Sequence, residues 1–163
     1  MPNKDFQNGI IVGLSSRSVN NITEENYTLV STITADGTQN SYTVNLNNAK
    51  NCYVVCSFTI GSAASNIRNI FYNGANEVGN FLNGQINNSA TRYHSAKCYL
   101  EHGLWFCGGR VPSANDGFDA WKVTAECPPK TKTDYAYITS VMVKSQTATV
   151  MIPSGSKIYV YAY

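Results

Sequence analysis

From Tyr27 onward, apolar and polar residues alternate with a period of two, and turn-forming residues break the alternation at short intervals. Successive side chains of a strand point to opposite faces, so this pattern predicts strands with one buried and one wetted side. "YTLVSTITADGTQNSYTVNL" reads as two strands around Asp36-Gly37, a dipeptide whose glycine supplies the positive φ of a tight hairpin. "NCYVVCSFTIGS" is a near-continuous apolar strand suited to a sandwich core. Asn73-Gly74 and Asn83-Gly84 are each expected to turn a short strand pair or a loop. "GLWFCGG", "WKVTAE", "DYAYITSVMVKSQ" and "TATVMIPSGSKIYVYAY" supply the remaining strands, with a turn at Pro153-Ser154-Gly155. Some eight to ten short strands separated by turns predict an all-β fold, a single β-sandwich or jelly-roll-like domain.

The last of these strands is the most regular. Ile158, Val160 and Ala162 form an aliphatic side fit for a core, and Tyr159, Tyr161 and Tyr163 form a side made only of tyrosine. A tyrosine face combines large apolar area with a polar tip, which suits a wet surface, a subunit contact or a platform on which sugars stack.

Only the N-terminus departs from the period of two. In "DFQNGIIVGLSSR", Phe6, Ile10 and Leu14 recur every four residues behind Asp5 as a cap, the pattern of one apolar stripe on a short helix. Gly9 and Gly13 each cost about 1 kcal/mol relative to alanine inside a helix, so the segment needs a partner to be stable. It is expected to dock on another protein or on copies of itself through Phe6, Ile10, Ile11 and Leu14. The alternative is an edge strand or cap of its own sandwich. The chain therefore divides into a docking or oligomerisation segment, 1–20, and a β-sandwich domain, 21–163.

Composition narrows the partners. Only 13% of the 163 residues are charged, about half the ~25% of an ordinary soluble domain, and Asn, Ser, Thr, Gly and Tyr take their place. The net charge of +2 and the scattered Lys and Arg argue against a nucleic-acid footprint. The apolar run Ile10–Leu14 is too short for a signal-peptide core or a membrane span, so no membrane insertion is expected. With no export signal read, the five cysteines at 52, 56, 98, 107 and 127 are expected to be reduced, and Cys52 and Cys56 to be small core residues on one side of a strand.

Candidate chemistry is sparse. His94, Cys98, His102 and Cys107 would gather imidazole and thiol ligands for zinc if "RYHSAKCYLEHGLWFC" were helical. The alternation of "CYLEHGLWF" reads instead as a strand, which spreads those groups apart, so no metal or other cofactor is expected. The chain has two histidines, no nucleophile elbow and no phosphate loop. A hydrolase would have to use an unrecognised site, such as the carboxylates Asp116 and Asp119. The expectation is a non-enzyme. Eleven tyrosines and two tryptophans among many Asn and Ser favour recognition of polar ligands instead.

"ITSVMVKSQTATVMIPSGSKIYVYAY" resembles the closing strands of β-sandwich domains in tailed-bacteriophage virion proteins, where an Ile-Thr-Ser strand, a short insert and a Gly-Ser/Thr turn lead into an aromatic-alternating final strand. "DFQNGIIVGLSSR" is similar to the openings of small phage structural proteins. Together these stretches span about 40 residues. The resemblance implies a structural component of a virion, made in the bacterial host cytoplasm: a head fibre, a capsid decoration, or a tail or baseplate appendage. Its expected partners are other virion proteins, further copies of itself in a homo-oligomer for which a trimer is one arrangement, and host surface glycans. A free carbohydrate-binding module or lectin is the alternative from another class.

Overall fold

A computed structural model of the chain describes residues 27–101, 103–110 and 134–163. Nine strands run through them: β1 (Thr28–Thr34), β2 (Ser41–Ala49), β3 (Asn51–Phe58), β4 (Ser65–Asn73), β5 (Asn76–Ile86), β6 (Arg92–Glu101), β7 (Leu104–Arg110), β8 (Ile138–Ser145) and β9 (Lys157–Ala162). The protein is an all-β sandwich. A five-stranded sheet has the order β1-β9-β3-β6-β7 and a four-stranded sheet the order β2-β8-β4-β5, with every neighbouring pair antiparallel. Phe6, Ile10, Ile11 and Leu14, the division at residue 20 and the strand expected at 121–126 lie outside the described residues.

The alternation places the core where it predicts. Val54, Cys52, Cys56 and Phe58 of β3 and Ile158, Val160 and Ala162 of β9 turn inward, to meet Ile67 and Phe71 of β4, Phe81 of β5 and Val141 and Val143 of β8. Each large apolar side chain fully withdrawn from water contributes about 1.5–3 kcal/mol, so this layer supplies the main force holding the sheets together. The strand "NCYVVCSF" takes the centre of the larger sheet, between β9 and β6. Cys52, Cys56, Cys98 and Cys107 are all buried thiols outside any disulfide, and burial pushes the Cys52 and Cys56 thiols up from their ordinary range.

Two glycines set how closely the layers approach. A Cβ on Gly109 of β7 would collide with the Ser95 carbonyl oxygen and with the ring of Phe81 from the opposite sheet. A Cβ on Gly84 of β5 would fall 2.5 Å from Cε1 and Nδ1 of His94.

Three turn expectations have different outcomes. Asn73-Gly74 does join β4 to β5 as a hairpin, with Gly74 at φ 58° and Asn73 paired with Asn76. Asp36-Gly37 does not make a hairpin: β1 pairs with β9 and β2 with β8, so this dipeptide carries the chain from one sheet to the other. Gly37 still needs its positive φ of 87°, but the corner is fixed by distant groups. Ala35 N–H donates to the Ser156 carbonyl and Gly155 N–H to the Ala35 carbonyl, while Asp36 Oδ1 accepts from the Thr38 N–H, the Thr38 hydroxyl and the Tyr42 hydroxyl. Asn83-Gly84 lies inside β5. The pairing steps from Leu82 opposite Arg68 to Gly84 opposite Ile67, so Asn83 is the extra residue of a bulge. The glycine is required there because the His94 imidazole occupies the space of a side chain.

Gly109→Ala is expected to lower stability by about 3 kcal/mol, since backbone and a core ring must both give way. Gly74→Ala meets open space and is expected to cost only about 1–2 kcal/mol for its left-handed backbone. Urea unfolding of the two variants checks the ranking; similar losses would mean that the sheets adjust freely at Gly109.

Candidate functional site

The outward side of the five-stranded sheet is a field of aromatic rings. Its register sets them in rows across the strands. Tyr161 of β9 lies opposite Tyr53 of β3, and Tyr53 opposite Lys97 of β6. In the next row Tyr163 exchanges backbone hydrogen bonds with Asn51, Asn51 lies opposite Tyr99, and Tyr99 opposite Phe106 of β7. Tyr27, just ahead of β1, lays its ring over these rows.

The ring contacts fall into two groups. Tyr53 and Tyr161 lie 6.2 Å apart between centroids, Tyr27 and Tyr53 6.1 Å, and Tyr27 meets Tyr163 edge-to-face at 5.1 Å. Across the sheet, Tyr99 stacks on Phe106 at 5.6 Å with 22° between planes. The two groups are joined by Lys97, whose Nζ stands 4.7 Å from the Tyr99 centroid and 5.6 Å from that of Tyr27. Offset and edge-on arrangements are those that aromatic quadrupoles favour, and a cation held near ring faces gains about 0.5–1 kcal/mol at an exposed site. Tyr163 remains 49% exposed, and Tyr93, further along β6, 60%. The Tyr27 hydroxyl is buried and has no hydrogen-bond partner, and burial, followed by the neighbouring Tyr163, pushes its phenol above the ordinary range.

Of the residues that sequence singles out, Tyr159, Tyr161 and Tyr163 share this outer side while Ile158, Val160 and Ala162 fill the core. Tyr161 and Tyr163 join the ring field, and Tyr159 sits in the next row, opposite Val55 and Thr32. Tyr27, Tyr53, Lys97, Tyr99 and Phe106 are missed by the sequence reading. Their alternation with core residues in β3, β6 and β7 puts each on an outward side, but only the strand order β9-β3-β6-β7 brings them together.

The His94 segment is a strand, and its groups point the other way. His94 and Cys98 belong to the inward side of β6, and Cys98 lies between Cys52 of β3 and Cys107 of β7. The His94 ring stacks on Phe58 at 5.0 Å, with Nε2 3.3 Å from Asn69 Nδ2, so the amide donates and the imidazole proton sits on Nδ1. Among the described residues no three His, Cys, Asp or Glu side chains come together as a metal site. His102, Asp116, Asp119 and Cys127 lie outside them.

No protein-family model and no curated protein sequence matches the chain. Among solved structures it is similar to the galectin LEC-6 of Caenorhabditis elegans, with a TM-score of 0.30 and 10% identity over 86% of this chain and 96% of that one.

Burial holds His94 neutral, with its pKa lowered to about 3. In the unfolded chain the imidazole takes up a proton near pH 6.5, whereas in the fold it does so only near pH 3. Between these values the unfolded state binds more protons, and stability falls with acidification by up to about 1.4 kcal/mol per pH unit. Unfolding free energies measured from pH 7 to 4 are expected to show this slope in the native chain and a flatter one in His94→Leu. Parallel profiles would place the acid sensitivity elsewhere.

Proposed function

We propose that the protein is a non-enzymatic recognition module that binds carbohydrate on the aromatic outer side of its five-stranded sheet. One observation carries this: the rings of Tyr161, Tyr53 and Tyr27, and beyond Lys97 those of Tyr99 and Phe106, share a face against which, among the described residues, no other sheet packs. An extended exposed aromatic patch marks a site of interaction. Sugars present one apolar C–H face to a ring and a rim of hydroxyls to polar groups, and half-buried Ser57 and exposed Tyr163 stand on this side to meet that rim.

A second reading concerns where such a module works. The resemblance of residues 5–17 and 138–163 to phage structural proteins supports a virion appendage, displayed on head or tail and docked through Phe6, Ile10, Ile11 and Leu14. The two readings are compatible, since an appendage that meets a host surface meets glycans first.

Tyr161→Ala and Tyr53→Ala are expected to weaken binding to a glycan selected on an array about tenfold each, with unfolding midpoints close to that of the native chain. Unchanged affinity in both variants would remove the ring field from the site. For the virion reading, deletion of residues 1–17 is expected to leave a folded sandwich that no longer enters particles; retained incorporation would count against N-terminal docking.

A further inference from the structure

We infer that the ligand is a linear polysaccharide, laid along β9 so that successive sugars meet Tyr159, Tyr161 and Tyr163. This rests on the carbohydrate reading and deepens it, because it names the form of the ligand and the line it follows. The inference comes from the direction in which the rings repeat. Outward residues of one strand recur at every second position, about 6.6–6.8 Å apart, so the three tyrosines stand in file along β9. Across the strands the series breaks. The row through Tyr159 runs from Thr32 to Val55 and Ser95, and the row through Tyr161 runs from Leu29 to Tyr53 and then Lys97. The row through Tyr163 is interrupted by Asn51 before it reaches Tyr99. A ligand crossing the sheet would therefore leave a ring after one or two sugars, whereas one following β9 meets three in succession.

The flanks of β9 suit a ligand lying in that direction. Thr34 and Thr32 of β1 are exposed and lie opposite Lys157 and Tyr159, and half-buried Ser57 and Val55 of β3 lie opposite the same two residues on the other side. All four are shorter than tyrosine, which leaves room beside the ring line, and the hydroxyls of Thr32, Thr34 and Ser57 are adaptable partners for the hydroxyl rim of a stacked sugar. Length matters because linked sugars lose overall translation and rotation only once. A second and a third unit, tethered to the first, add their ring contacts without repeating that loss, so affinity climbs with each ring covered and stops when the rings run out. Single-stranded nucleic acid also repeats, but it requires a basic groove along its backbone. Strands β1, β3 and β9 carry one charged residue between them, Lys157.

The test titrates the full-length chain with cello-, chito-, manno- and xylo-oligosaccharides, from the single sugar to the hexasaccharide, and reads affinity by calorimetry. At least one series is expected to tighten about tenfold per unit up to the trisaccharide and to level off beyond it. Tyr159→Ala is expected to make that series level off at the disaccharide, while Tyr159→Phe, which keeps the ring, retains the third step. Affinity independent of length, or a third step that survives Tyr159→Ala, overturns the linear assignment. A series shortened by Phe106→Ala in place of Tyr159→Ala turns the ligand across the strands and also overturns it, as does displacement of the trisaccharide by an oligothymidylate. Array glycans that bind while every series is silent overturn it too. In each of these cases Tyr161→Ala still weakening the bound sugar leaves the carbohydrate reading standing. If neither the series nor the array yields a bound sugar, both readings fall.

Discussion

The close approach of the two sheets at Phe81 over Gly109 and at His94 over Gly84 is the constraint on which the rest of the structure depends. At both places a side chain from one layer fills the volume that a Cβ of the other would need. Register in a sheet has a period of two, so slipping β6 or β7 by one residue would turn every core side chain to water and every ring to the core. The interlock forbids that slip. It therefore fixes not only the inward layer but also which residues stand beside one another on the opposite surface. Lys97 lies between the rings of Tyr27 and Tyr99 because Ala96 and Cys98, on either side of it, are held in the core.

How much of this was legible in the chain depends on how local the cause is. The inward and outward sides of β3, β6 and β9 follow from alternation alone, and so does the failure of His94, Cys98 and Cys107 to act as an exposed cluster, because a strand sends them all inward. Gly74 turns as expected since its hairpin is made by neighbours in sequence. Asp36-Gly37 and Asn83-Gly84 carry the same local preference, and there distant groups decide. Hydrogen bonds from Ala35 and Gly155 tie the first to the β8–β9 connection, and the imidazole of His94 shapes the second. The ring field needed still more. Tyr161 and Tyr163 could be placed on one side from their spacing, but Tyr53 and Tyr99 join them only through strand pairing, which no short stretch of sequence encodes.

The two sides of the larger sheet treat polarity in opposite ways. Inside, His94 and Asn69 share one contact and leave His94 Nδ1 and Asn69 Oδ1 without partners. An unpaired polar atom in the interior costs about 1–3 kcal/mol, and the imidazole responds by staying neutral. Outside, aromatic pairs across neighbouring strands add about 0.2–1 kcal/mol each to the sheet. Tyr27 goes further, since its hydroxyl is withdrawn from solvent without a partner so that its ring can bridge Tyr53 and Tyr163.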